Sequence, residues 1–264
     1  MTTVIDVVRA MEQRYDPSTA ESWDAVGLTC GEPATKVTKV LFAVDAVDAV
    51  IDQAVAIGAN LIVTHHPLYL RPVTSVAATT AKGSAIHRLI SHNIALFTAH
   101  TNADHANPGV SDALAAALGV VDTVALSPEG AGRIGRLPEP MNLATFAGHV
   151  AQMLPGTNQG VRVAGDLEQT IETVAVCGGA GDAFLPFVSD ADVYVTSDLR
   201  HHRALEHRED WGCALIDVAH WATEWPWLAQ AAELLAEDLG DRKLEIVVSD
   251  IVTDPWSAHW RSTS

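Results

Sequence analysis

Leu61-Ile62-Val63-Thr64-His65-His66-Pro67-Leu68 is the stretch that decides how this chain reads. An apolar run of strand type stops abruptly at two adjacent imidazoles and a proline. Open α/β sheets place their ligands at the carboxyl ends of the strands. Two histidines at such an end suggest a metal centre, provided that the rest of the chain supplies further ligands.

Working outward, strand and helix signals alternate. Before the quoted stretch, Val40-Leu41-Phe42-Ala43-Val44 reads as a buried strand and 48–57 as a helix stopped by Gly58. At the N-terminus, Val4, Ile5, Val8 and Met11 recur at helical spacing, with Pro17 closing that helix and a loop holding Trp23, Gly27 and Gly31 after it. After the stretch come a helix over 85–92, a strand over 94–98, and a helix over 110–118 ended by Gly119. Residues 127–140, rich in Gly and Pro, read as a linker or turn-rich crossover. The remainder predicts a helix over 143–154, strands over 173–177 and 192–195, a helix over 199–208, a strand over 214–218, a long helix to Leu239 and a last strand over 244–248. This alternation predicts an α/β fold with a parallel or mixed sheet covered by helices.

The two halves are related. Leu61 to His66 parallels Val193-Tyr194-Val195-Thr196-Ser197-Asp198, and Ile94 to His100 parallels Leu215 to His220, with a helix between the two strands each time. A repeat with matching order and spacing predicts a pseudo-symmetric fold whose strand ends converge on one site. The expected organisation is a first lobe over 1–126, on which residues near the C-terminus can pack, a linker over 127–140 and a second lobe over 141–264, with no inserted domain.

Composition narrows the function classes. The chain has 264 residues, 48% hydrophobic and 19% charged, which describes a globular protein. With 33 acidic against 16 basic residues, the formal charge is −17. Sequence-independent binding to nucleic acid or to an anionic membrane needs a basic surface and is disfavoured. The three cysteines, Cys30, Cys177 and Cys213, are too scattered for a zinc ribbon or a disulfide framework, and read as buried thiols of a reducing compartment. No apolar run approaches the roughly 18 residues of a membrane span, and the N-terminus does not have the pattern of a signal peptide. The expected location is the cytoplasm.

Four clusters carry candidate chemistry. His65 and His66 can face one cavity from different angles because Pro67 turns the backbone, although an exposed turn with incidental histidines is the bland alternative. In His100-Thr101-Asn102-Ala103-Asp104-His105 a strand ends in a polar loop; Asp104 can ligate a metal, and His100 can support a ligand or shuttle a proton. The bland reading makes Asp104 a helix cap, but Asn107 and Ser111 are nearer to the following helix. His220 and Glu224 stand one helical turn apart at i and i+4, a spacing at which imidazole and carboxylate converge on one centre. Taken alone, that pair is an ordinary helical pair. In the fourth cluster, Asp198 sits at a strand-to-helix junction as a cap, and His201 and His202 are no more than residues of a substrate pocket. His149 reads as a face or core residue, and Trp221, Trp225 and Trp227 as packing of a buried helix.

His65, His66, Asp104, His220 and Glu224 together form a nitrogen and carboxylate donor set without thiolate. It fits two divalent ions of Zn, Fe, Mn, Co or Ni. Five protein ligands are too many for one open catalytic ion. They suit two ions about 3.5–4 Å apart with a bridging carboxylate and a bridging water that is deprotonated near neutral pH and acts as nucleophile.

With these motifs in place, the chain resembles the NIF-three-like dinuclear-metal proteins, whose bacterial members are described as GTP cyclohydrolase I type 2 homologues. The resemblance runs through Glu21-Ser22-Trp23-Asp24-Ala25-Val26-Gly27-Leu28, Val63 to Leu68, His100 to Asp104 and Gly132-Arg133-Ile134-Gly135. It continues in Ser197 to His202 and Asp217-Val218-Ala219-His220-Trp221-Ala222-Thr223-Glu224. It implies two similar, intertwined α/β lobes with mixed sheets, assembled as a toroidal homohexamer. It further implies that His66 and Asp104 hold one metal, His65 and His220 the other, and Glu224 bridges them. Ala25 stands where the family usually has Asn, and Ser197 where it usually has Gly; both bear on substrate preference and not on metal binding. The reading that follows is a metal-dependent hydrolase of the GTP cyclohydrolase type, acting on a small molecule or nucleotide, with Glu224 and His100 in catalytic roles. The alternative is a non-catalytic hexamer that handles metal or binds a partner. No Walker-type loop is present to read a guanine nucleotide, so GTP rests on the resemblance.

Overall fold

A computed structural model describes residues 1–260 of the chain; positions 261–264, the tail of the expected second lobe, lie outside the described residues. The described residues form two compact units, one of Met1–Ala106 with Leu228–Thr253, the other of Asn107–Trp227 with 254–260.

The first unit begins with α1 (Val4–Arg14), β1 (Gly27–Cys30), β2 (Lys39–Ala43) and α2 (Asp48–Ile57). It continues with β3 (Leu61–Thr64), α3 (Ala81–Ser91), β4 (Ala95–Thr98) and the short helix α4 (Thr101–His105). Periodicity explains the helices: Val4, Val7, Val8 and Met11 of α1 are all buried. Gly58 stops α2 because it adopts the left-handed conformation, φ +70°, which lets Ala59 N–H reach back to Ala54 O at 2.9 Å. Strands β2, β3 and β4 pair in parallel, and every residue of β3 is buried. Their ends therefore lie at one carboxyl edge of a five-stranded sheet of order β1-β4-β3-β2 plus one strand from the far end of the chain. That strand, β11 (Glu245–Val248), pairs in parallel with β2.

The second unit contains α5 (Val110–Ala117), β5 (Val121–Ala125), β6 (Arg133–Asn142) and α6 (Leu143–Met153). Next come β7 (Arg162–Ala164), β8 (Thr170–Ala180), β9 (Val193–Ser197), α7 (His201–Trp211) and β10 (Ala214–Val218). Helix α8 (His220–Leu239) then carries the chain back to the first unit. The six-stranded sheet has the order β5-β6-β8-β9-β10-β7. Its parallel trio β8-β9-β10 matches β2-β3-β4, and the antiparallel neighbour β7 of β10 matches β1 of β4. The repeat expected from two strands in each half thus extends to four, and both sheets are mixed. The fold is two similar α/β lobes interleaved along the chain.

The stretch 127–140, expected as a linker, instead holds a hairpin. Ser127 N–H bonds Ala131 O at 3.0 Å and Leu126 N–H bonds Gly132 O at 3.2 Å, so β5 turns directly into β6. The buried Arg133 pins the turn through two bonds to Asp112, at 2.7 and 2.6 Å. Pro138 and Pro140 fall where the β6–β8 register is interrupted, between Arg136 and Met141, the place in a sheet where a residue without N–H is tolerated.

Candidate functional site

In the first unit, β2, β3 and β4 end side by side in Asp45, His65-His66 and His100. Pairing continues one step beyond the strands: His65 N–H bonds Ala43 O at 3.2 Å, His66 N–H bonds Val44 O at 2.8 Å, and Ala99 N–H bonds Thr64 O at 3.0 Å. The histidine backbones are thereby fixed by the sheet. The rings of His65, His66 and His100 gather, with centroids 5.1 Å apart for two of the pairs and 5.5 Å for the third. One ligand nitrogen from each lies within 4.8 Å of the others, close enough to hold a metal ion. Asp104 Oδ1 lies 3.7 Å from His65 Nε2. Asp104 sits in the short helix α4, where an irregular loop was expected. The following helix α5 is capped at Gly109, whose N–H bonds Asp112, so Asp104 is not its cap.

In the second unit, the last residues of β8 include Gly178-Gly179, and β9 and β10 lead into Asp198 and His220. His220 Nε2 lies 2.9 Å from Glu224 Oε1 within the first turns of α8. Gly179 adopts φ +68°, and a Cβ there would stand 2.6 Å from Glu224 Oε1 and 3.2 Å from His220 Nε2. Only glycine lets the backbone approach the carboxylate this closely. Its N–H bonds Thr223 Oγ1 at 2.8 Å, and its carbonyl accepts from Thr196 and Ser197, so the approach is held from both sides.

The imidazoles share one device. His65 Nδ1 bonds Ala99 O at 3.0 Å, His66 Nδ1 bonds Asp45 Oδ1 at 2.8 Å, His100 Nδ1 bonds Asp24 Oδ1 at 2.8 Å, and His220 Nδ1 bonds Asp198 Oδ2 at 2.7 Å. Carbonyl and carboxylate oxygens only accept, so each Nδ1 carries the proton of its bond, and the ring is turned with Nε2 toward its own cluster, that of His220 facing Glu224 Oε1. Asp45 is itself held by the Thr253 hydroxyl. Burial alone would raise the Asp24 carboxyl, but hydrogen bonds from His100 and Thr101 outweigh it and hold Asp24 well below the usual carboxylate range. Asp198 is also lowered, first by its bond to His220. The charge of Glu224 raises His220 to about 11 against the opposing effect of burial, with Asp198 adding to the rise. A position that binds a proton so firmly favours a cation, and the nitrogen and carboxylate donors present are those that Zn, Fe, Mn, Co and Ni accept.

All five expected ligands therefore lie at carboxyl edges of the two sheets, His65, His66 and Asp104 in one unit and His220 and Glu224 in the other. His100 joins the first group. Asp198 is not a helix cap, since Arg200 occupies that position in α7, and it orients His220 instead. The residues missed from sequence are Asp45 and Gly179, together with the orienting role of Asp24. Asp45 follows the apolar run of β2 directly, so it stood at the same sheet edge as the histidines. His149 bonds Leu118 O at 3.2 Å on α6, and Trp221 is buried beside Trp225, both as expected of packing residues.

The structure is a repeated α/β fold with histidine and carboxylate clusters at its sheet edges that could hold a metal ion. The chain belongs to the Duf34/NIF3 (NGG1p interacting factor 3) family, whose sequence pattern matches residues 2–255. It is 49% identical to a "GTP cyclohydrolase 1 type 2 homolog" of Streptomyces coelicolor, over 98% of this chain and 95% of that protein. A protein of the same description from Mycobacterium tuberculosis is 37% identical over 96% of each chain. That alignment runs over 366 positions, more than this chain has residues, so the mycobacterial protein carries inserted sequence. Among solved structures, a Bacillus cereus protein related to NIF3 superposes with TM-score 0.89 at 25% identity, covering 97% of this chain and 99% of that one. A hypothetical protein of Staphylococcus aureus gives TM-score 0.88 at 29% identity with the same coverage.

Proposed function

We propose that this protein binds two divalent metal ions through His65, His66, Asp104, His220 and Glu224, and is a metal-dependent hydrolase of a small molecule or nucleotide. The observation that carries the reading is the common orientation of the imidazoles: all four Nδ1 atoms are engaged by oxygen acceptors, which turns each Nε2 edge toward the other histidines or the carboxylates of its own cluster. His66 with Asp104, His65 with His220 and Glu224 as the shared carboxylate is the division that the family motifs imply. When bound, such ions supply Lewis acidity for hydrolysis. Asp24 holds the Nδ1 proton of His100 and aims Nε2 toward His65 and His66, where it can accept or return a proton of a reacting group. Asp45 and Asp198 hold His66 and His220 in the same way, and Gly179 leaves room for the Glu224 carboxylate. Assembly as a homohexamer is carried over from the resemblance, and a cytoplasmic location from the sequence composition.

Elemental analysis of protein purified without added metal, followed by turnover assays on GTP, other nucleotides and phosphoesters, tests the reading. The expected result is two metals per chain and activity that disappears in His220→Ala and Glu224→Gln. Activity that survives removal of all metal overturns the hydrolase reading. Tight metal binding with no turnover on any of these substrates favours the metal-handling or partner-binding alternative.

A further inference from the structure

The second unit contains a cavity of about 420 Å³ between α7, the edge strand β7 and the face of β10. From α7 it is lined by His201, Ala204, Leu205 and Arg208, which are spaced i, i+3, i+4 and i+7 and so form one stripe along the helix. The stripe has a polar side chain at each end, the His201 imidazole and the Arg208 guanidinium, and is apolar in the middle. Val163 and Leu215 supply further apolar wall, and Arg162 and Asp217 the polar floor.

Three observations say that this space suits a ligand. First, α7 is poorly anchored by its own side chains. Of its residues only His207 is buried, and Leu205, pointing along the cavity, is 46% exposed. An eleven-residue helix normally covers an apolar stripe. Second, the charge is one-sided. Asp217 is already matched by Arg162 at 2.7 Å, Gln159 at 3.1 Å and the Leu199 N–H at 3.2 Å, whereas the Arg208 guanidinium at the rim bonds an uncharged group, the Gly212 carbonyl. The acidic residues Glu206 and Asp210 of α7 face a different hollow, beside His207 and Trp211. The first turn of α7 adds positive potential, since its Arg200 cap makes no side-chain bond to the helix N–H groups. In a chain of formal charge −17, an apolar cavity with arginine at its rim stands out. Third, its size falls in the range of sites for small molecules, roughly 300–1,000 Å³.

We propose that this cavity binds a small anionic molecule with an apolar or aromatic body, the body lying on Leu205, Val163 and Leu215 and the anionic group meeting His201 or Arg208. The site stands apart from the proposed metal ligands, and its occupancy does not depend on metal. It borders them through the sequence, because Leu199 follows Asp198 and Asp217 precedes His220 by three residues.

The test uses two fluorescent probes of similar shape, anionic 8-anilinonaphthalene-1-sulfonate and neutral N-phenyl-1-naphthylamine, titrated into the full-length protein with and without metal. The expected result is one sulfonate probe per chain, bound at least about tenfold more tightly than the neutral probe, in both metal states. Leu205→Asp and His201→Glu each weaken it by about tenfold or more, whereas Leu167→Asp, at an exposed site outside the cavity, does not. Thermal melting of the variants guards against misfolding. Equal affinity for both probes overturns the anion preference. Unchanged binding in folded Leu205→Asp and His201→Glu overturns the site. Failure of the wild type to bind, with an altered oligomeric state in Leu205→Asp, overturns it in favour of a second copy of the chain as the occupant.

Discussion

Helices α3 and α7 hold equivalent places in the two sheets, each joining the second and third strands of a parallel trio, and they are built to opposite ends. Helix α3 buries Ala85, Ile86 and Leu89 against β3, α2 and their neighbours, and closes its side of the sheet. Helix α7 carries a charged sequence, buries one histidine and leaves a cavity over β10. The same topology thus yields one helix whose task is packing and one whose inner stripe is available for binding. Duplication supplies the frame, and relief from the need to pack supplies the freedom to bind.

The comparison can be broken most directly by truncating one leucine on each helix. Leu89→Ala removes a fully buried side chain from α3 and is expected to cost about 2–5 kcal/mol in denaturant unfolding. A loss below about 1 kcal/mol would show that α3 is no better anchored than α7. Next in size are the carboxylates that orient the imidazoles. Asp45→Asn and Asp198→Asn, one in each unit, are expected to weaken metal binding by about 10- to 100-fold in competition titrations with a chelator. Similar losses at both positions would mean that the two sheet edges use the same device, and a loss at only one would end the parallel.

A smaller effect separates the thiols. Burial pushes Cys213, just before β10, up to about 12 from an ordinary value of 9.0, so it stays protonated in the fold well after the unfolded chain has ionised. Its contribution to stability is complete below pH 9 and is lost as pH rises from there toward 12. Unfolding free energies at pH 8 and pH 10.5 should fall with pH in the wild type and less steeply in Cys213→Ala. Smallest of all is Leu205→Ala on α7, expected to change stability by no more than about 0.5 kcal/mol because the side chain is half exposed. A loss comparable with that of Leu89→Ala would mean that α7 packs as α3 does.

Most of the elements were legible in the sequence. The strand over 61–64, the helix over 48–57 and the strand over 214–218 have the expected bounds, because continuous apolar runs bounded by glycine or by polar residues leave few alternatives. The hairpin of β5 and β6 was hidden by its own chemistry. Glycine and proline signal a break, and the interactions that override them, such as Arg133 on Asp112, are long-range in sequence. Strands β1 and β7 are short edge strands that exist through antiparallel pairing to β4 and β10, which no local pattern announces. At the site, the histidines were visible as residues unlike their surroundings. Asp45 and Gly179 were not, since a single carboxylate or glycine after a strand is commonplace until the fold places it against an imidazole or a carboxylate.

The last strand of the first unit has a consequence for synthesis. Strand β11 sits beside β2, and Thr253 bonds the Asp45 that orients His66, yet both lie more than two hundred residues beyond β2. During translation the N-terminal segment therefore emerges with the β2 edge open and the support of His66 incomplete, while Asn107–Trp227 of the second unit is made. Folding of the first unit finishes only after β11 and Thr253 have been made, so the support that Asp45 gives His66 is completed late in synthesis.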